Sequence, residues 1–263
     1  MKAQVNGIEM YYEVHGKEGA PWLTLSHSLA CSVRMWDPQI EAFKDRYRIL
    51  AYDTRGHGES MAPAGPYTLE MLAADLHALL KHLNIERTHF AGLSMGGMIG
   101  QTFALKYPGV LASLILADTT SRYPADAAGV WAERIKTVET RGMQPLVQST
   151  LERWFTEPFR KAHPEVVGRI GALIASTPVA GYVGCSHAIP KINLTARLKE
   201  IKCAVLVICG EQDGGTPPAM AREIHDNAPG SKLVLIPQAA HISNMEQPQA
   251  FTQAMEQFLA GVK

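Results

Sequence analysis

The chain reads as an α/β fold: a mostly parallel eight-stranded sheet, helices on both of its faces, and a helical cap inserted between two strands. Three observations predict this. Short runs that are apolar throughout alternate with stretches carrying apolar residues at helical spacing, the pattern of strands buried on both faces. One long interval, residues 121–194, carries helical patterns and no convincing strand. Between a β-prone run and an amphipathic helical run lies a Gly-x-Ser-x-Gly turn, Gly92-Leu93-Ser94-Met95-Gly96.

Taken in order, Gln4-Val5 and Ile8 to Tyr12 flank Asn6-Gly7, a pair that supplies the two positive φ angles of a type I′ hairpin turn. Trp22–Ser26 is a buried strand, Met35–Phe43 a helix and Ile49–Asp53 the next strand. Leu69–Leu83 has helical periodicity, Thr88–Ala91 is a strand, and Gly96–Leu105 a helix. Leu111–Asp118 and Ala204–Gly210 are further strands, Leu233–Pro237 is the last one, and Pro248–Leu259 a closing helix. Within the insertion, Trp131, Ile135 and Val138 share one helical face, followed by helical runs at Leu146–Phe155 and Val166–Ile174. The division expected is a core of residues 1–120 and 195–263 and a cap of 121–194 that depends on the core.

Lys+Arg and Asp+Glu balance at 25 each, so nothing suggests electrostatic capture of nucleic acid or of an anionic membrane. No stretch is long and apolar enough to span a bilayer, and the start lacks a signal-peptide core. Four scattered cysteines without a Cys-x-x-Cys pair argue against a zinc site or a disulfide framework. The expectation is a cytoplasmic protein whose partner is a small molecule, with no metal or organic cofactor; the oligomeric state is not readable.

In open parallel sheets chemistry gathers at the carboxyl ends of the strands. Here those ends carry Ser26-His27-Ser28, the Ser94 turn, Asp118, Gly210 to Asp213 and the loop Gln238 to Ser243. At a sharp strand-to-helix turn the central residue is forced into a strained conformation, so the flanking Gly92 and Gly96 permit the close approach. A serine hydroxyl needs a base near neutral pH, and histidine is the side chain suited to it. A buried carboxylate then fixes the imidazole tautomer. Ser94, Asp213 and His241 occur in the order nucleophile, acid, histidine expected with a nucleophile elbow. Asp118 remains a rival acid, and Asp213 has the alternative role of capping a helix that begins near Pro217. His57, in a Gly-flanked turn, reads as a structural hydrogen-bonder, and Cys31 as packing. The oxyanion formed by attack on a carbonyl needs donors: Met95 N–H is one, and Leu29 N–H, from the loop after Leu25, is the other.

These stretches together, with the Asp53–Ser60 run and Gly210–Pro217, resemble the α/β-hydrolase family over nearly the full length. A narrower similarity is to bacterial 3-oxoadipate enol-lactonases. It is carried by Leu25–Leu29 with Arg34-Met35-Trp36-Asp37, Gly92–Gly100, Arg153-Trp154-Phe155-Thr156, Gly181-Tyr182 with Cys185 and Ala188-Ile189, Thr216-Pro217-Pro218 and Ala239–Pro248. His27 and Asp118 depart from the asparagines more familiar at those places. The resemblance implies opening of a carboxylated enol-lactone through an acyl-enzyme, in a pathway of aromatic-acid catabolism. A general carboxylesterase or a ligand sensor on a hydrolase scaffold is the alternative; a haloalkane dehalogenase would need aspartate in place of Ser94. Burying a carboxylate calls for a cation under the cap. Arg34, which follows the oxyanion loop, and Arg134, three residues beyond Trp131 on one helical face, are the candidates, with Trp131 and Trp154 as apolar walls.

Overall fold

In the computed structural model, which describes residues 1–124 and 126–262, the alternation along each strand sorts apolar side chains onto two faces. Ile49 and Ala51, Ile115, and Leu206 and Ile208 join one buried cluster with the helical residues Phe43, Phe251 and Met255. Leu50 and Tyr52, Leu114 and Leu116, and Val205 and Val207 join the other, with Leu76, Leu79, Phe103 and Ile224. Both faces are therefore apolar and covered, which is why these strands read as unbroken hydrophobic runs.

The strands are β1 (Lys2–Val5), β2 (Ile8–Gly16), β3 (Trp22–Ser26), β4 (Arg48–Tyr52), β5 (Thr88–Leu93), β6 (Leu111–Ala117), β7 (Ala204–Gly210) and β8 (Lys232–Ile236). They form one sheet in the order β1-β2-β4-β3-β5-β6-β7-β8. The β1–β2 and β2–β4 pairs are antiparallel and every later pair is parallel. The Asn6-Gly7 turn adopts the positive φ values expected of it, 47° and 79°.

The helices are α1 (Asp37–Phe43), α2 (Leu69–His82), α3 (Met95–Lys106), α4 (Ala127–Arg141), α5 (Val147–Trp154), α6 (Glu157–Ala162), α7 (Pro164–Ser176), α8 (Val179–Ala188), α9 (Pro218–Asn227), α10 (Ser243–Glu246) and α11 (Pro248–Leu259). The expected helix at Met35–Phe43 is split: a 3₁₀ turn, Val33–Trp36, precedes α1, whose start is set by Pro38 in its first turn. Helices α4 to α8 all lie between β6 and β7, and among the described residues of this insertion there is no strand, only an isolated bridge between Arg122 and Asn193 at its base. Two of these helices, α6 and α8, were not expected. Helix α6 has only six residues, and α8 lacks a polar stripe, with Gly181, Tyr182, Gly184, Cys185, Ser186 and Ala188 all buried. A Cβ at Gly181 would come within 1.8 Å of the Gly56 carbonyl oxygen, and one at Gly184 within 2.7 Å of the Tyr67 ring. Among the described residues no single helix is long and apolar enough to cross a membrane.

Candidate active site

Ser94 links β5 to α3 with φ 55° and ψ −113°, a conformation that L-residues avoid unless the surroundings impose it. The two glycines permit it: a Cβ on Gly92 would lie 2.3 Å from the Gly96 backbone, and one on Gly96 2.2 Å from the Ser26 carbonyl oxygen. The turn is pinned by Ser94 N–H to the Ala117 carbonyl (2.9 Å) and by the Thr119 hydroxyl donating to the Ser94 carbonyl (2.7 Å). Ser94 thereby stands at the positive end of α3.

The loops after β7 and β8 bring the other two residues to it. His241 Nε2 lies 2.9 Å from Ser94 Oγ, and His241 Nδ1 lies 2.8 Å from Asp213 Oδ2. Asp213 Oδ1 accepts from the Gly215 and Thr216 amides (2.7 and 3.0 Å), and Oδ2 also accepts from the Thr216 hydroxyl (2.8 Å). Asp213 does not cap α9, which starts at Pro218 without a side-chain cap. Burial raises the Asp213 carboxyl, but the His241 charge and hydrogen bond with the Thr216 donors outweigh it, and its pKa falls below the usual value. Burial lowers the His241 imidazole, Asp213 raises it, and the outcome is a pKa above the ordinary histidine value.

Asp118, the rival acid, does not reach His241. Its Oδ1 accepts from Gly210 N–H (2.8 Å) and its Oδ2 from the Ser243 hydroxyl (2.5 Å), so it ties the ends of β6 and β7 to α10. Complete burial, then the nearby Asp213 charge, push its carboxyl up to about 8. Asp118, Cys209 and Asp213 present ligand-type atoms within 4.8 Å of one another, yet every carboxylate oxygen among them already accepts a protein hydrogen bond.

Leu29 lines the cavity above Ser94, and Met95 is the first residue of α3. The N–H groups of both lack an acceptor among the described residues. His27 shapes that loop: its Nδ1–H donates to the Ser28 carbonyl (2.7 Å) while its Nε2 accepts from Thr54 N–H (2.9 Å). His57 is fully buried beside it, donates through Nδ1 to the Arg55 carbonyl (3.2 Å), and is held neutral by burial and by His27. Cys31 is buried, and burial pushes its thiol up.

The cavity over Ser94 has a volume of about 220 Å³, small beside typical pockets for drug-sized ligands. From the cap it is walled by Trp131, Arg134, Arg153, Trp154 and Tyr182. Arg134 stacks over the Trp131 ring at 4.8 Å, and the Trp154 ring lies 6.1 Å from that of His241. Arg153, which the sequence reading passed over as a binding residue, is half-buried, and its only side-chain partner among the described residues is the Thr150 hydroxyl at 3.3 Å. Burial, then Arg134, lower its pKa, so the two guanidiniums repel each other. Neither has a carboxylate partner among the described residues. No local signal marks Arg153: adjacent residues on a helix do not share a face, so its place beside Trp154 does not point it toward the cavity.

Arg34 is a correction. It pairs with Glu13 and with Asp37 (3.3 Å), is 47% exposed, and lines a separate surface cleft beside α7. The strand neighbour Glu13 that captures it is distant in sequence, so loop adjacency to the oxyanion residues misled.

The family model described as alpha/beta hydrolase fold matches residues 21–248. The chain is 37% identical to 3-oxoadipate enol-lactonase 2 of Acinetobacter baylyi, covering 95% of this chain and 92% of that one. It is similar to the crystal structure of the enol-lactonase from Burkholderia xenovorans LB400, with a TM-score of 0.96, 38% identity, and coverage of 99% and 100%. A thermophilic esterase from Thermogutta terrifontis, solved with malate bound, superposes with a TM-score of 0.92 at 32% identity, covering 99% of this chain and 97% of the esterase.

Proposed function

This chain belongs to the α/β-hydrolase fold family, and from that premise we propose that it opens a carboxylated enol-lactone, 3-oxoadipate enol-lactone to 3-oxoadipate, as a serine hydrolase acting through an acyl-enzyme. The observation that carries the reading is the hydrogen-bonded line Asp213–His241–Ser94 at the floor of a small cavity whose cap wall holds two guanidiniums without carboxylate partners among the described residues. The enol-lactonase relatives support the lactone, and the arginines support its carboxylate.

His241 Nε2 accepts the Ser94 proton as Oγ attacks the lactone carbonyl, and the Met95 and Leu29 N–H groups receive the developing oxyanion. Asp213 holds Nδ1–H and stabilises the imidazolium. Collapse breaks the ring C–O bond and releases an enolate, which the imidazolium protonates before it becomes a ketone. The leaving group stays tethered because the substrate is cyclic. Water, giving its proton to His241, attacks the acyl-enzyme, and the carboxylate leaves with Ser94 regenerated. Arg134 and Arg153, both lining the cavity, supply the positive charge for the carboxylate that the substrate brings, and a guanidinium can meet it with two parallel hydrogen bonds where an ammonium cannot.

The test is steady-state kinetics on the enol-lactone beside neutral nitrophenyl esters and a small carbamate. The lactone should exceed the neutral ester in kcat/KM by about 30-fold or more, the equivalent of ~2 kcal/mol for a paired charge. The malate-bound esterase favours a second reading, a carboxylesterase of small acidic esters. Preference for an acyclic ester carrying a carboxylate over the lactone would establish that one.

A further inference from the structure

The residues on both sides of His241 are tied to the cap, one directly and one through Glu246 of α10. The preceding residue, Ala240, donates its N–H to Glu246 Oε2 at 2.8 Å. The other oxygen of that carboxylate, Oε1, accepts from Thr156 N–H at 3.0 Å and from the Thr156 hydroxyl. The residue after the imidazole, Ile242, donates its N–H to the Trp154 carbonyl at 3.1 Å. Residues 154–156 close α5, the helix that carries Arg153 and Trp154 into the cavity, and the Thr156 hydroxyl also caps α6. Glu246 itself is 4% exposed, with both oxygens committed to donors from two segments 84 or more residues apart in sequence.

We propose that Glu246 is a positioning residue that locks the imidazole of His241 and the cap wall of the cavity into one body. The proposal rests on the reading of His241 as general base. A base that must meet Ser94 Oγ at 2.9 Å tolerates little lateral movement, since small misplacement of a catalytic group costs rate steeply. The loop 238–242 follows a strand end, and one of its anchors to the rest of the chain is this carboxylate. A carboxylate rather than an amide is required there. Both oxygens face N–H donors, so a glutamine would turn its own NH₂ toward one of them and leave that donor without an acceptor.

The measurement is the rate at which a small fluorophosphonate labels Ser94, together with kcat and KM on a neutral nitrophenyl ester, for the full chain and for Glu246→Gln and Thr156→Val. Labelling reports how well His241 activates the serine and does not need the natural substrate. Thermal melts fix a working temperature at which each variant is folded. Glu246→Gln should slow labelling and kcat together by about 10- to 100-fold, with KM for the neutral ester changed less than about threefold, the signature of a misplaced base. Thr156→Val, which keeps one of the two donors to Oε1, should lose less in both. Full-rate labelling in folded Glu246→Gln overturns the positioning role and leaves the carboxylate as cap packing. Failure of the unaltered protein to label at all overturns instead the serine-hydrolase reading on which the proposal stands.

Discussion

The sheet side and the cap side of the cavity treat charge in opposite ways. On the sheet side, both imidazole nitrogens of His241 and both oxygens of Asp213 are engaged, and the Asp118 carboxyl beneath them is fully hydrogen-bonded. On the cap side, two guanidiniums line the same small space without a carboxylate partner among the described residues. A preorganised set of partners suits a reaction in which charge appears transiently on the protein's own groups. An unpaired, mutually repelling pair of cations suits a ligand that arrives already charged. On the proposed function, chemistry belongs to one wall and recognition to the other.

The sharpest way to break that division is to remove the nucleophile. Ser94→Ala should lower kcat by on the order of 10⁴–10⁶ on every substrate while leaving the fold intact, because residues that act as one unit fail together. Turnover near the unaltered rate would remove the sheet side from the chemistry altogether. Asp213→Asn should cost about 10⁴ through the wrong imidazole tautomer. It should also move the acid limb of kcat/KM to lower pH. Asp213 raises the His241 pKa, activity is lost as pH falls through that pKa, and removing the raising charge lets the base stay neutral further into acid. In the unaltered protein the limb should therefore sit above the reference histidine value of roughly 6.5. A limb below that value would contradict the paired geometry.

The cap side is tested by substrate contrast rather than by loss of all activity. Arg153→Gln and Arg134→Gln should each lower kcat/KM for the acidic lactone by about 2–5 kcal/mol, the usual cost of removing one partner of a desolvated charge pair. Hydrolysis of a neutral nitrophenyl ester should change little. Because each arginine repels the other, either variant should also melt no lower than the unaltered chain, the pattern of a site that sacrifices stability for binding. Equal losses on both substrates would merge the two walls into one catalytic unit.

The two sides also differed in how far they could be read from sequence. The strands and the Ser94 turn are written in local signals: all-apolar runs, two glycines around a serine, a histidine directly after the last strand. Local signals survive because backbone geometry decides them within a few residues. The cap is decided by tertiary contact. Nothing local announces that Gly181 lies against Gly56, that Glu13 captures Arg34, or that Glu246 reaches Thr156. Arg34 and Arg153 carry the same charge; the Glu13 and Asp37 carboxylates hold one at the surface, while the end of α5, tied to the His241 loop, brings the other to the cavity.

The smallest expected effect concerns Asp118, a carboxyl on the sheet side that burial and the Asp213 charge push up to about 8. Asp118→Asn removes no charge there. The amide oxygen can accept from Gly210 N–H, and the NH₂ can donate to the Ser243 oxygen as the Oδ2–H of the protonated carboxyl can. Activity at pH 7 should fall by no more than a few-fold. The stability difference, however, should depend on pH with a definite sign. The native carboxyl titrates near 8 and the unfolded one near its ordinary value of about 3.9, so between those two values the unfolded state has released a proton that the native state still holds. The native aspartate form therefore loses stability as pH rises through that window, and the asparagine variant has no such loss. Relative to the unaltered chain, Asp118→Asn should gain stability steadily from pH 5 to pH 8 and level off above it, as read by paired denaturant melts. A difference that stays flat across that range would mean Asp118 is ionised throughout. Two charges would then lie beneath His241 instead of one, and the well-partnered account of the sheet side would not stand.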